Sequence, residues 1–511
     1  MIQKFDVVII GSGLGGLLCA NILSREGYKV CVLEKNRQIG GSLQTFVRDR
    51  CIFDTGVHYV GGLAKGQTLY KLFKYFGIMD QLKLQALNEE GFDRIIFEGE
   101  GKAYVHGQGY EKFIQNLVAD FPDEELAIIQ YCDKIRHICS LFPMYNLQDG
   151  NEDLLQEVDI LSVNAVEYIQ QLTSNVRLQN VLAATNVLYA GEAAKTPLYV
   201  HALVINSYII SAYRFVDGSS QISRLLSKTI KANNGSIINY ANVKRLVMDE
   251  ADEELKYAEL ANGNIIEGNI FISAIHPAPT LDMLETSKIR KVFRNRIKSI
   301  ENTASAFILY LVMKKDSLEY KDYNIYHYGT EDVWDTINYT EENWPKSFAM
   351  YYGAHSKSVK YAEGIIAITY MRYEDVAQWQ NTFNTASEKE DRGADYDAFK
   401  KEKSEQLLDK IEKLYPDIRQ HIHSYHSSTP LTYRDYIGSY DGSLYGILKD
   451  CQDPLRSFIP VRTKIPNLLL TGQNLHMHGV YGVAIGALKT CSEILGQKYL
   501  LEKVHQASAE E

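Results

Sequence analysis

Apolar positions dominate the start of the chain. Phe5, Val7, Val8, Ile9 and Ile10 predict a buried strand that stops at Gly11. Apolar residues then recur at helical spacing (Leu14, Leu17, Leu18, Ile22, Leu23), and a second apolar run, Val30 to Leu33, ends at Glu34. Strand, glycine turn, helix and strand form one α/β unit that reaches to about residue 60. A mostly helical, charge-mixed stretch follows over roughly 66–210, with residues 110–141 and 165–188 as its clearest helices. The α/β pattern then returns. Ile222, Leu225, Leu226 and Ile230 make a helical stripe stopped at Asn233–Asn234–Gly235. Strands are predicted over 237–240, 243–248, 256–260 and 270–274, with an Asn262–Gly263 turn before Ile265. Residues 300–450 alternate like an antiparallel sheet, most clearly over 306–312 and 365–371, and 384–405 reads as a surface loop running into a helix. A last strand, 467–471, leads through Gly472 to a helix over 484–495, and residues 508–511 are expected to fray.

The fold class expected is α/β: a Rossmann-type, glutathione-reductase-like dinucleotide-binding domain with an inserted α+β domain that contains an antiparallel sheet. Length supports two joined domains, since 511 residues exceed what one core normally serves. The expected division is discontinuous, with residues 1–65, 210–285 and 455–505 in the nucleotide domain and 66–209 and 286–454 in the substrate domain.

Charge narrows the partners. A formal net charge of -10 argues against nucleic acid. Seven scattered cysteines without a C-x-x-C pair fit reduced thiols, and the first strand begins too early for a signal peptide, so a cytoplasmic location is expected. Residues 198–215 are long enough to span a membrane but carry His201, Asn206, Ser207, Ser211 and Arg214, so they read as a buried, pocket-lining helix. One basic cluster stands apart. Lys288, Arg290, Lys291, Arg294, Arg296 and Lys298 share a segment whose Ile289, Val292, Phe293, Ile297 and Ile300 fall on one helical face, a pattern suited to peripheral contact with anionic lipid or to a solvated helix.

Candidate chemistry begins at Gly11-x-Gly13-x-x-Gly16. Gly11 permits a tight turn, Gly13 lets backbone approach a pyrophosphate, and Gly16 lets helix pack on strand. The helix start at Leu14 and Gly15 offers free N–H groups to phosphates, and Glu34 can accept ribose hydroxyls. Two further segments select FAD over NAD(P): Gly40-Gly41-Ser42, and the late Gly472-Gln473-Asn474 followed by Gly479, Gly482 and Val483. A second glycine turn and helix near the C-terminus suits the flavin end of one long cofactor. Tyr440 and Tyr445 lie in a glycine-containing segment that points to a substrate lining. His421, His423 and His426, like His476 and His478, lack matching acidic or cysteine partners, so no metal is expected; His476 and His478 sit inside the C-terminal glycine segment, close to where a flavin ring would lie.

With the phrases Asp54-Thr-Gly56-Val-His58-Tyr59, Asp217-Gly-Ser-Ser-Gln221, Thr429-Pro-Leu-Thr432 and Gly472-Gln-Asn474, the chain resembles the phytoene desaturase, carotenoid isomerase and retinol saturase group of FAD-dependent polyene oxidoreductases, related to the amine oxidase fold. The resemblance implies that Gly11, Gly13, Leu14, Gly15, Gly16, Glu34 and Lys35 hold the ADP half and that Gly40, Gly41 and Ser42 meet the pyrophosphate. It places Val243 at the adenine, and Gly472, Gln473, Asn474, Gly482 and Val483 against the isoalloxazine. Ser42 departs from the arginine that many relatives carry there. His58 and Tyr59 are the candidate catalytic pair, with a packing role behind the flavin as the other reading of His58; His478, Tyr440 and Tyr445 are the substrate-lining candidates. The expected substrate is apolar, the electron partner is a quinone, oxygen or NAD(P)H, and saturation, desaturation and isomerisation all stay open. Two other readings remain: an amine oxidase-like flavoprotein, and a flavin-free binder of prenylated partners of the GDP-dissociation-inhibitor type.

Overall fold

A computed structural model describes residues 2–150 and 158–509. Residues 151–157 of the stretch expected to belong to the substrate domain, and Glu510 and Glu511 of the expected frayed end, lie outside them.

Two large sheets organise the described residues. The first sheet runs Ser236–Ile238, Val30–Leu33, Ile2–Ile10 and Ile265–Ser273, all parallel. Beyond Ile265–Ser273 the sheet forks. The early half of that strand pairs antiparallel with Leu255–Leu260, which pairs antiparallel in turn with Val243–Met248, and its late half pairs parallel with Leu468–Leu470. Val7, Val8 and Ile9 are fully buried, because helices cover both faces of a parallel sheet and its central strands have no wet side. Leu468–Leu470 thereby brings the far end of the sequence beside the first strand's neighbour.

The second sheet also has seven strands, in the order Ile422–Ser428, Ser305–Met313, Gly364–Met371, Ser347–Tyr352, Asn324–Tyr328, Asp93–Phe97 and Ala103–His106. It is antiparallel except where Asn324–Tyr328 runs parallel to Asp93–Phe97. The α/β class with an added antiparallel sheet, expected from the hydrophobic pattern, is the architecture observed.

The Asp54 and Ser219 motifs stitch these parts together. Asp54 is the last residue of Cys51–Asp54, and its carboxylate accepts from the Ser219 N–H at 2.7 Å and the Ser219 hydroxyl at 2.6 Å. Burial pushes the Asp54 carboxyl up to about 6 despite those donors. Thr429 and Thr432 form a reciprocal cap on Pro430–Ile437, which satisfies donors at the helix start.

Helix Leu198–Ile210 is buried within the protein, and its polar residues are met internally. His201 accepts or donates at both ring nitrogens, 2.6 Å from the Tyr131 hydroxyl and 2.8 Å from that of Tyr189, while Asn206 bonds Tyr110 and Tyr145. Among the described residues no helix is long and apolar enough to cross a membrane.

Four of the six cations between 288 and 298 are engaged within the protein. Lys288 pairs with Glu253 and Lys298 with Asp282; Arg294 donates to the Leu281 and Leu284 carbonyls, and Arg296 to those of Arg456 and Phe458. The helix itself spans Lys291–Lys298, with Val292 79% exposed and Ile297 buried.

The C-terminal helix starts earlier than its apolar pattern predicts, at Gly479 and not at residue 484. Its first turn is glycine-rich, so hydrophobic periodicity could not mark it. Residues 508 and 509, expected to fray, continue the last helix, Gln497–Ala509.

Candidate functional site

The glycine turns that the sequence separates by more than 450 residues touch in space. A Cβ placed on Gly15 would stand 3.2 Å from Gly472 Cα and 3.4 Å from Val483 Cγ1. Gly11, at φ +95°, turns the chain off the first strand, and Gly13 bridges to Gly40. A Cβ on Gly13 would meet no protein atom within 4 Å, because Gly13 faces open space.

That space is a cavity of about 400 Å³. Of the residues read as cofactor contacts, Gly11, Gly13, Leu14, Gly15, Glu34, Lys35, Gly40, Gly41, Ser42, Val243, Gly472, Gln473, Asn474, Gly482 and Val483 all line it. Gly16 does not. Its absent side chain instead admits the Gly11 carbonyl and, at 3.1 Å from a Cβ, the Ala274 methyl, which is the helix-on-strand packing expected of the third glycine.

Local hydrogen bonds fix this end of the cavity. The Glu34 carboxylate is buried and accepts from the Ser12 N–H at 3.2 Å, from the Ser12 hydroxyl, and from the Asn36 N–H at 2.8 Å. Lys35 donates to the Asp435 carbonyl at 3.2 Å and Asn36 to that of Tyr436 at 2.8 Å, tying the second strand to Pro430–Ile437. Burial holds the Lys35 ammonium below its usual range.

Side chains build the opposite end. His58, Tyr59, Tyr445 and His478 line the cavity, as do Tyr208, Tyr351, Tyr433 and His476. His58 stacks on Tyr351 with ring centroids 4.8 Å apart, and Tyr445 lies 4.4 Å from His478. Desolvation pushes His58 down to about 3, aided by Arg214, and pushes His478 to a similar value, so both rings are neutral near pH 7. Lys449, also on the wall, donates to the Leu475 carbonyl at 2.9 Å and to the Ser457 and Asn474 carbonyls; burial brings it down to about 7. Asn474 accepts from the Ile447 N–H at 3.1 Å, so part of its role is to hold the loop that carries Tyr445 and Lys449.

Tyr440 falls outside the cavity. It is 45% exposed and stacks on His276, because Asp441 at φ +50° and the packing of Gly442 against Pro430 turn the chain outward there. An apolar arm was not predicted as a residue set. Leu161, Val187, Leu188, Leu203 and Val204, the last two from helix Leu198–Ile210, form this apolar part of the cavity wall. The only sequence signal for it was the length and polarity of the 198–215 segment.

The cavity fits a group with both polar and flat aromatic parts. His58 Nδ1, His476 Nε2, His478 Nε2 and the Ser439 hydroxyl all belong to its wall and are buried without a hydrogen-bonding partner. Unpaired buried polar atoms carry a cost, and four on one wall mark where a ligand's polar groups belong.

Comparison with known proteins agrees with this geometry. Residues 9–76 match the model of an NAD(P)-binding Rossmann-like domain. The chain is 26% identical to the all-trans-retinol 13,14-reductase of Rattus norvegicus, over 96% of this chain and 86% of that protein. It is 24% identical to the chloroplastic prolycopene isomerase of Daucus carota, over 87% of this chain and 72% of that protein. Among solved structures, a triple mutant of putrescine oxidase superposes with a TM-score of 0.63 at 14% identity, covering 97% of this chain and all of the other. The similarity to these relatives therefore extends along most of the chain, and the fold is that of the putrescine oxidase structure.

Proposed function

We propose that this relative of the retinol reductases and prolycopene isomerases is an FAD-dependent oxidoreductase that acts on carbon–carbon double bonds of an apolar polyene or isoprenoid. One observation carries the reading: a single cavity runs from two touching glycine turns to an apolar arm. FAD would lie with its adenosine toward Glu34 and Val243, its pyrophosphate at Gly13, Gly41 and Ser42, and its ring toward Gly472, Gln473 and Val483. When bound, the flavin supplies hydride acceptance and donation.

The chain's own part is placement. Leu203, Val204, Val187 and Leu188 give a long hydrocarbon an environment from which water is excluded, and an unactivated alkene needs no polar grip for binding. His58, held neutral by burial, orients ligand groups through Nδ1 and does not act as a charged acid. Peripheral contact with anionic lipid through the 288–298 segment would rest on Arg290 and Lys291, at about 1 kcal/mol each. That is too little for stable anchoring without the neighbouring Val292 and a second contact.

Two measurements test the proposal. Purified protein should be yellow and release FAD on denaturation. After anaerobic reduction, its flavin should be reoxidised by one member of a panel containing all-trans-retinol, a carotenoid, a quinone and oxygen. Reoxidation by a polyene indicates saturation; reoxidation by quinone or oxygen alone leaves desaturation in front. Colourless protein that takes up no FAD would overturn the enzyme reading in favour of a prenyl-chain binder.

A further inference from the structure

Behind the cavity wall sits a carboxyl group that the cofactor and substrate arrangement leaves without a role. Asp93 opens strand Asp93–Phe97 and is 1% exposed. Its Oδ2 accepts from the Tyr59 hydroxyl at 3.1 Å, and its Oδ1 accepts from the Asn324 amide at 2.8 Å. The Tyr59 hydroxyl lies 2.6 Å from that of Tyr326, and the Tyr351 hydroxyl donates to Tyr326 at 3.5 Å. Tyr59 and Tyr351 are both wall residues of the cavity, whereas Tyr326 and Asp93 lie behind the wall. One buried carboxyl is therefore bonded to a wall hydroxyl, Tyr59, and is linked through Tyr59 and Tyr326 to a second wall hydroxyl, Tyr351.

We propose that Asp93 is a proton reservoir for the cavity, connected to the bound alkene through Tyr59, Tyr326 and Tyr351. The proposal rests on the alkene-oxidoreductase reading above. In the saturating direction, the flavin when bound would supply a hydride to one alkene carbon, and the chain's own part is the proton: the π electron pair takes it at the neighbouring carbon from the Tyr351 hydroxyl. With Asp93 protonated and each hydroxyl rotated to donate toward the cavity, Tyr351 is reprotonated from Tyr326, Tyr326 from Tyr59, and Tyr59 from the Asp93 carboxyl, which is left ionised. Solvent restores the Asp93 proton between turnovers. In the desaturating direction each transfer reverses, and Asp93 receives the proton.

The surroundings suit that task. Desolvation pushes Asp93 up to about 7, the region in which a carboxyl can both give and take a proton at physiological pH. Arg214 is the charged group nearby; it donates to Asn324 Oδ1 at 2.8 Å, and otherwise to the Tyr320 hydroxyl and to the Lys321 and Tyr323 carbonyls, so no cation is bonded directly to Asp93. His106, paired in register with Asp93 on the next strand, is held neutral by burial, which brings it to about 4. Tyr59, Tyr326, Tyr351 and Tyr208 are all pushed up by burial and stay protonated. The row thus holds one group that titrates near neutrality, with phenols between it and the cavity.

The test uses the FAD-loaded protein and two independent readouts. Infrared spectra across neutral pH should show a protonated-carboxyl band that fades with a midpoint near 7 and is missing in Asp93→Asn. The polyene-dependent reoxidation of reduced flavin should fall along the same midpoint. Asp93→Asn should lower it at least about tenfold and flatten its pH profile, and Tyr351→Phe should lower it similarly while keeping the infrared band. Tyr326→Phe, which removes one hydroxyl and keeps the packing, should behave like Tyr351→Phe. A wild-type protein without the titrating band, or Tyr59→Phe and Tyr351→Phe proteins that both keep the wild-type rate and profile, overturns the reservoir. Should no polyene reoxidise the wild-type flavin, the functional reading fails separately, and the infrared titration still decides whether Asp93 holds a neutral-range proton.

Discussion

The two ends of the cavity are built by different means. At the glycine end, recognition falls to backbone: Gly13 faces open space, Gly15 meets Gly472, and one buried carboxylate, Glu34, is fixed by Ser12 and Asn36. At the other end, side chains do the work, and they come from unrelated parts of the fold: His58 and Tyr59 after Cys51–Asp54, Tyr208 from Leu198–Ile210, Tyr351 from Ser347–Tyr352, and His478 before the C-terminal helix. A phosphate-bearing cofactor presents the same groups to every protein that binds it, so its site is a fixed local motif. A hydrocarbon has no such groups, and many side-chain sets can enclose it.

The sharpest way to break the comparison is Gly13→Val. Gly13 sits at φ -60° and ψ 173°, which valine adopts without strain, and no protein atom lies within 4 Å of where its Cβ would stand. Stability of the cofactor-free protein should change by less than about 1 kcal/mol. Cofactor affinity should fall at least about a hundredfold, because the methyl groups occupy the pyrophosphate's place. Thermal melts of the apo-protein and FAD titration by fluorescence read the two effects separately. Equal loss of both would show that Gly13 serves the fold and not the ligand.

Leu203→Trp is the matching change at the opposite end. Leu203 is buried at the wall of the apolar arm, and an indole there removes room for substrate. FAD affinity should stay within about twofold while the apparent affinity for a polyene falls about tenfold or more, the size expected when a bulky group takes a pocket worth about 1–3 kcal/mol. A parallel loss of FAD would mean that the arm belongs to the cofactor.

The same contrast explains what could be read in the sequence. The strand that ends at Gly11, the helix after it and the acid at Glu34 are contiguous, so spacing alone gave their arrangement. The contact of Gly15 with Gly472 was readable in outline because Leu468–Leu470 is a short apolar run before a glycine, as the inner edge of a parallel sheet requires. Tyr351 and Tyr326 were hidden. Both sit in strands buried along nearly their whole length, where the sequence pattern does not single out the residues that meet the cavity or one another. Asp93 was hidden for the opposite reason, since a lone aspartate at a strand start looks like a turn residue until Tyr59 and Asn324 close over it. Tyr440 was misplaced because nearness in sequence to Tyr445 does not survive the left-handed bend at Asp441.

Ser42 gives the smallest expected effect and probes the glycine end alone. It follows Gly40 and Gly41 on the cavity wall and brings no charge, although the phosphates expected there are anionic. Ser42→Arg should tighten FAD by up to about fivefold at low salt, an attraction worth about 1 kcal/mol at a partly exposed site. Raising the salt should erase most of that gain, because screening acts over about 8–10 Å. The Ser42 Cβ stands 3.0 Å from where a side chain on Gly56 would begin, so the arginine must leave along the cavity and toward the ligand. A tightening that persists unchanged in high salt would mean that the new side chain packs against the cofactor without pairing with its phosphates. No tightening at either salt would place the pyrophosphate away from Gly41 and Ser42 and leave the glycine end anchored by Gly13 and the start of the first helix.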